Sequence, residues 1–150
     1  MSKKNDFLQL QNDPSLANLT ASLNQRLNPL VPKLTLKESC ELLEIRQEQL
    51  IATHRLELST KPLESLTEGL SFSPHLIKGD LLSIVGNCLE IFYWLRHESP
   101  RSHTDDDLID LIIKVFNQMG GSLEGTRNYL ENTLSFEQEP LTLKETNHDQ

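Results

Sequence analysis

A chain of 150 residues, 37% apolar and 24% charged, has the size and make-up of one globular domain with a real core. A formal net charge of −8 sets it against phosphate backbones, so general nucleic-acid binding is disfavoured and any charged partner is expected to be basic. The longest apolar run is far too short to span a bilayer, and the opening MSKKNDFLQLQND lacks the continuous apolar stretch of a secretory signal, so a cytoplasmic protein is expected.

Glycine is scarce, at six residues, and Leu, Glu, Gln and Lys, all good helix formers, dominate. Residues 1–12 read as a flexible N-terminus. The first helix opens at Asp13-Pro14, where Asp can cap and Pro suits the first helical position. Leu16, Leu19, Leu23 and Leu27 follow as a narrow apolar stripe, and Asn28-Pro29 and Val31-Pro32 end it. Thr35 and Glu38 form a capping box for the second helix. Its apolar face is expected from Leu36, Cys40, Leu43, Leu50 and Ile51, with Glu41, Glu44 and Glu48 as an acidic stripe on another face. Arg55-Leu56-Glu57-Leu58 alternates and suits a short extended segment. A weaker helix runs from about Pro62 to Leu70, and a turn follows at Ser71 to His75.

The fourth helix, beginning near Gly79-Asp80, carries Leu81, Ile84, Val85, Cys88, Leu89, Ile91, Phe92 and Leu95 on one broad arc that Leu82 and Tyr93 widen. Such a helix is central, with neighbours on two sides, and burying eight such side chains contributes about 12–24 kcal/mol before entropy is subtracted. Trp94 falls outside the arc, beside Ser83, Asn87 and Glu90. Arg96 and His97 close the helix, where positive charge suits the dipole. Thr104-Asp105-Asp106-Asp107 caps the fifth helix, with Leu108, Leu111, Ile112, Val115, Phe116 and Met119 facing the core and Asp110, Lys114 and Asn117 facing water. Gly120-Gly121 suits a left-handed cap, and Ser122 starts a sixth helix bearing Leu123, Tyr129, Leu130 and Leu134. Residues 137–150 are polar, acidic and aperiodic, and read as a disordered tail after a helical domain at 13–136.

The densest set of metal-ligand candidates is His97, His103, Asp105 and Asp106, with Glu98 and Asp107 beside them. The two histidines lie six apart across a turn, no H-E-x-x-H occurs, and the aspartates have the spacing of a helix cap. Capping and solvation are therefore favoured over a metal site. Residues 120–124 fail the G-x-S-x-G pattern because Glu124 takes the last glycine position. Cys40 and Cys88 sit in apolar patterns and are expected to be buried thiols rather than a disulfide. Gly120-Gly121-Ser122 lacks the lysine of a phosphate loop. A helix-turn-helix at 35–72 would put Glu64 and Glu68 against phosphates. Trp94, a large aromatic on a polar face, is either covered by another helix or exposed for a partner.

The phrases LTLKESCELLEIR at 34–46, RLEL at 55–58, EIFYWLRHES at 90–99, DDDLIDLI at 105–112 and GSLEGTRNYLE at 121–131 resemble a family of small uncharacterised bacterial proteins classed as a domain of unknown function. The resemblance spans residues 30–134, and it implies a bacterial cytoplasmic protein and assigns no catalytic or binding residue. Departures from the family pattern fall in the N-terminal helix, in the acidic tail and around RLEL, where two glycines are missing. The expectation is an all-α, single-domain bundle of five to six helices around a central hairpin at 79–119. Its expected role is as a non-enzymatic interaction module that uses no cofactor and binds an unidentified, basic protein through Trp94 or through Glu41, Glu44 and Glu48. A small metal-dependent enzyme or sensor at the 97–107 turn is one alternative. An acidic protein occupying a basic partner is the other.

Overall fold

The computed structural model describes residues 14–76, 80–98 and 103–133. Among these the chain forms helices α1 (Pro14–Arg26), α2 (Leu36–Ala52), α3 (Lys61–Ser71), α4 (Leu81–Glu98), α5 (Asp105–Gln118) and α6 (123–133), and no strand. The expected N-terminal segment at 1–12, the Asp13 cap, Gly79, Leu134 and the tail at 137–150 lie outside the described residues.

The capping signals form as the sequence dictates, because they join residues three apart. Thr35 Oγ1 accepts from the Glu38 N–H at 3.1 Å, and the Glu38 carboxylate accepts from the Thr35 N–H at 2.9 Å. Thr104 and Asp107 repeat the exchange at the start of α5, at 3.0 and 3.4 Å. Ser122 Oγ accepts from the Gly125 N–H at 2.9 Å, starting α6. Helix α5 ends with the Gly120 N–H donating to the Asn117 carbonyl and the Gly121 N–H to that of Phe116. This closure needs a left-handed residue, and Gly120 supplies it at φ 65°.

The helices run alternately up and down. Ser22 and Arg26 of α1 reach Glu64 and Glu68 of α3, and Asn28 bonds Ser71, so α1 and α3 run side by side in one direction. Lys61 meets Asp106 and Ser73 meets Asn117, so α5 runs that way too. Helices α2 and α4, which connect them in the chain, return the other way, and α6 lies beside α4, with Arg127 at 3.7 Å from Glu90. Helix α4 is central and packs against α2, α3 and α5. Every residue of its expected arc is buried, and Tyr93 with it. A Cβ on Gly86 would stand 2.9 Å from Ile45 Cδ1, so this glycine lets α2 approach α4 closely.

Some expected faces differ. In α2, Leu36 and Ile51 are exposed and Ser39 and Leu42 are buried with Cys40 and Leu50, because α2 lies between α1 and α4 and its inward arc is set by both. In α5, Ile109 is buried while Leu111 is half-buried, and Asn117 accepts from the Ser73 hydroxyl at 2.6 Å instead of facing water alone. In α6, Thr126 and Leu130 point inward and Tyr129 outward. No described helix is long and apolar enough to cross a membrane.

Candidate interaction surface

One end of the bundle gathers the start of α1, the α2–α3 loop, the end of α4 and the start of α5. Helix α2 stops in an unusual way there. The His54 N–H donates to the Ile51 carbonyl and the Arg55 N–H to that of Leu50, the same closure that ends α5. Here the left-handed position is held by His54, at φ 55°, where glycine would be unstrained. The chain leaves this turn directly into Arg55-Leu56-Glu57-Leu58. No strand forms in this segment; the alternation expressed in its sequence appears as alternating exposure in an irregular loop.

Glu57 points inward. Its side chain is 5% exposed. One carboxylate oxygen accepts from the Tyr93 hydroxyl at 2.6 Å and from Arg46 Nε at 3.2 Å, and the other from Arg55 Nε at 3.1 Å. Arg46 Nη2 also donates to the main-chain carbonyls of Glu57 and Ser59, each at 3.2 Å. Arg55 continues to Asp105 at 3.1 Å, and Asp105 accepts from Arg96 at 2.8 Å. Arg96 Nη2 also donates to the His103 carbonyl at 2.7 Å. The network therefore ties the loop to α2, α4 and the start of α5. Burial, then the hydrogen bond to Glu57 and its negative charge, push the Tyr93 phenol well above its ordinary range, with Arg46 and Arg55 pulling partly the other way.

With Glu57 and Arg55 held inward, Leu56 and Leu58 are forced out. They are 93% and 103% exposed. Two clefts flank them. One, of about 550 Å³, lies toward α5 and is lined by Thr104, Asp105, Asp106 and Ile109 as well as the loop. The other, of about 660 Å³, lies toward α1 and α2 and is lined by Leu16, Leu19 and Leu43 together with Leu58. Beside it, Glu64 accepts from Ser22, Thr60 and Arg26, and Arg26 also meets Glu68 at 2.7 Å. Burial works against the Glu64 carboxylate, but those hydroxyl bonds and the Arg26 guanidinium outweigh it and hold the group below its usual value.

The residues singled out from sequence are distributed unevenly. Asp105 is engaged by two arginines, Asp106 stands 3.8 Å from Lys61, Asp107 caps α5, and His97 is exposed at the end of α4. His103 contributes its main-chain carbonyl to Arg96. Among the described residues no three His, Cys, Asp or Glu side chains form a group that could hold a metal ion. Trp94 is half-buried and packs against the core. Glu41 and Glu44 are half-buried and only Glu48 is exposed, so the acidic stripe is not a uniformly solvated face. Cys40 and Cys88 are buried and not disulfide-linked, and burial, slightly offset by Arg127, pushes the Cys88 thiol up to about 12. The surface that sequence reasoning did not select is Leu56, Leu58 and their anchor Glu57. The available signal was the alternation of RLEL.

The fold and this surface define an all-α bundle presenting an anchored leucine loop. The chain belongs to a family of unknown function, DUF6323, which it matches over residues 20–139. The match takes in the second half of α1, from residue 20 to Arg26, so that part of the helix is not peculiar to this chain. No curated protein and no solved structure matches it.

Proposed function

We propose that this protein is a non-enzymatic protein-interaction module of the bacterial cytoplasm, and that it contacts its partner through the α2–α3 loop. The observation that carries this reading is the outward placement of Leu56 and Leu58. Two almost fully exposed leucines side by side are unfavourable in water, and rigid apolar groups rimmed by polar ones are typical of binding surfaces. Their presentation is built, since the buried Glu57 between them fixes the loop from three sides. Buried thiols at Cys40 and Cys88 support a reducing compartment. Trp94, packed against the core, is the weaker contact candidate, and Glu41, Glu44 and Glu48 are weaker still.

The test is a paired capture experiment with wild-type, Leu56→Asp/Leu58→Asp and Trp94→Ala baits at matched concentration. The loop variant is expected to keep its helical circular dichroism and thermal midpoint and to lose the retained protein. Retention of the same protein by the loop variant and its loss from Trp94→Ala would reject the loop as the contact.

A further inference from the structure

We propose that the occupant of the leucine loop is a second copy of this chain, packed about a two-fold axis; the inference rests on the reading of the loop as a contact surface. Two independent observations lead there. The first is shape. The protruding Leu58 stands at the rim of the cleft of about 660 Å³ that Leu16, Leu19 and Leu43 line. The cleft is mixed, with these leucines set among polar side chains such as Ser15, Asn18 and Ser22, and a surface carrying a leucine knob beside such a cleft can pair with its own copy. A two-fold axis places each copy's knob in the other's hole, so every contact is made twice.

The second observation is charge. The chain carries −8 overall, so two copies repel through most of their surfaces. The ion pairs around the loop and its clefts are different. They join five cations to five carboxylates, from Arg26 with Glu64 and Glu68 through to Arg96 with Asp105. The linings of the two clefts balance as well, with Arg26, Arg46, Arg55 and Lys61 against Glu57, Glu64, Asp105 and Asp106, so two copies of an acidic chain meet here with less repulsion than their net charge implies. A neutral face does not select a basic partner. The knob and hole account for an apolar partner of the same shape, and the chain itself is one.

The salt response follows from the same charges. The contact is apolar and the repulsion lies outside it, so added salt screens the repulsion and leaves the contact intact. Association is expected to hold constant or strengthen from low to moderate salt. The acidic-protein reading with a basic partner gives the opposite sign.

Sedimentation velocity of the purified full chain over a concentration series, at low and moderate salt, tests this. The expected result is a species at twice the 17.1 kDa chain mass, which Leu56→Asp/Leu58→Asp weakens by about 100-fold or more. Because both leucines are exposed, the variant keeps its fold, and circular dichroism checks that. A second measurement mixes two singly substituted proteins, Leu58→Cys and Asn18→Cys, under mild oxidation. Asn18 lines the same cleft, so a disulfide between the two proteins is expected in the mixture in excess of either protein alone. A monomer at every concentration overturns the proposal, as does a dimer that salt dissociates or that the loop variant leaves intact. A monomeric protein whose loop variant still loses a captured partner overturns the self-pairing alone and leaves the contact reading standing.

Discussion

Replacing Glu57 by glutamine tests whether its carboxylate holds the loop. The glutamine keeps the shape but removes the charge shared by Arg46 and Arg55. It also presents an amide NH₂ where Tyr93, Arg46 and Arg55 all donate, so one donor must face another. A unit charge about 4 Å from another gains about 4 kcal/mol at an effective dielectric constant of 20, before desolvation is subtracted. Breaking a buried pair by removing one partner costs about 3–5 kcal/mol. Arg46 and Arg55 are 12% and 27% exposed, so water recovers part of that. The expected loss is therefore about 3 kcal/mol, at the low end of the range. For a chain of this length it corresponds to a fall in Tm of about 6–12 °C. Urea unfolding followed by circular dichroism measures the first quantity and calorimetry the second. Limited proteolysis should show faster cleavage between Arg55 and Ser59, since the loop loses its inward anchor. A loss below about 1 kcal/mol, the range of an exposed surface pair, with unchanged proteolysis would refute the anchoring argument.

Two further outcomes follow from local geometry. His54→Gly relieves a left-handed residue at the end of α2 and should stabilise the protein by about 0.5–1 kcal/mol in urea unfolding, after the added backbone entropy of glycine is subtracted; destabilisation would contradict the helix closure described above. Glu64 is held below the ordinary carboxylate value, so its ionised form contributes stability that is present above that value and lost as pH falls through the lower folded-state value. Between pH 5 and acid, Glu64→Gln should therefore show a shallower decline in unfolding free energy than the wild type, and equal slopes would remove Glu64 as a source of the acid sensitivity.

The helices were largely legible because their start signals are short-range. Thr35 with Glu38 and Thr104 with Asp107 are three residues apart, so the sequence contains both halves of each cap. The arc of α4 was legible for a different reason. A helix enclosed by three neighbours buries most of its circumference, and no choice of face can miss it. The face of α2 was not legible, because Leu36 and Leu42 are equally apolar and only the positions of α1 and α4 decide that Leu42 is buried and Leu36 exposed. Asn117 looked solvated until Ser73, 44 residues away, supplied its hydrogen bond.

The candidate surface shows the same division. Sequence alone determined that residues 55–58 alternate, that acids crowd the start of α5, and that the chain is helical and acidic. Only the tertiary structure decided which half of the alternation turns inward. Glu57 is drawn in by Tyr93 at 36 residues' separation and Arg46 at 11, and Arg55 by Asp105 at 50. A carboxylate finds its lowest free energy among donors that the sequence places far apart and the bundle brings together, and Leu56 and Leu58 face water as a consequence.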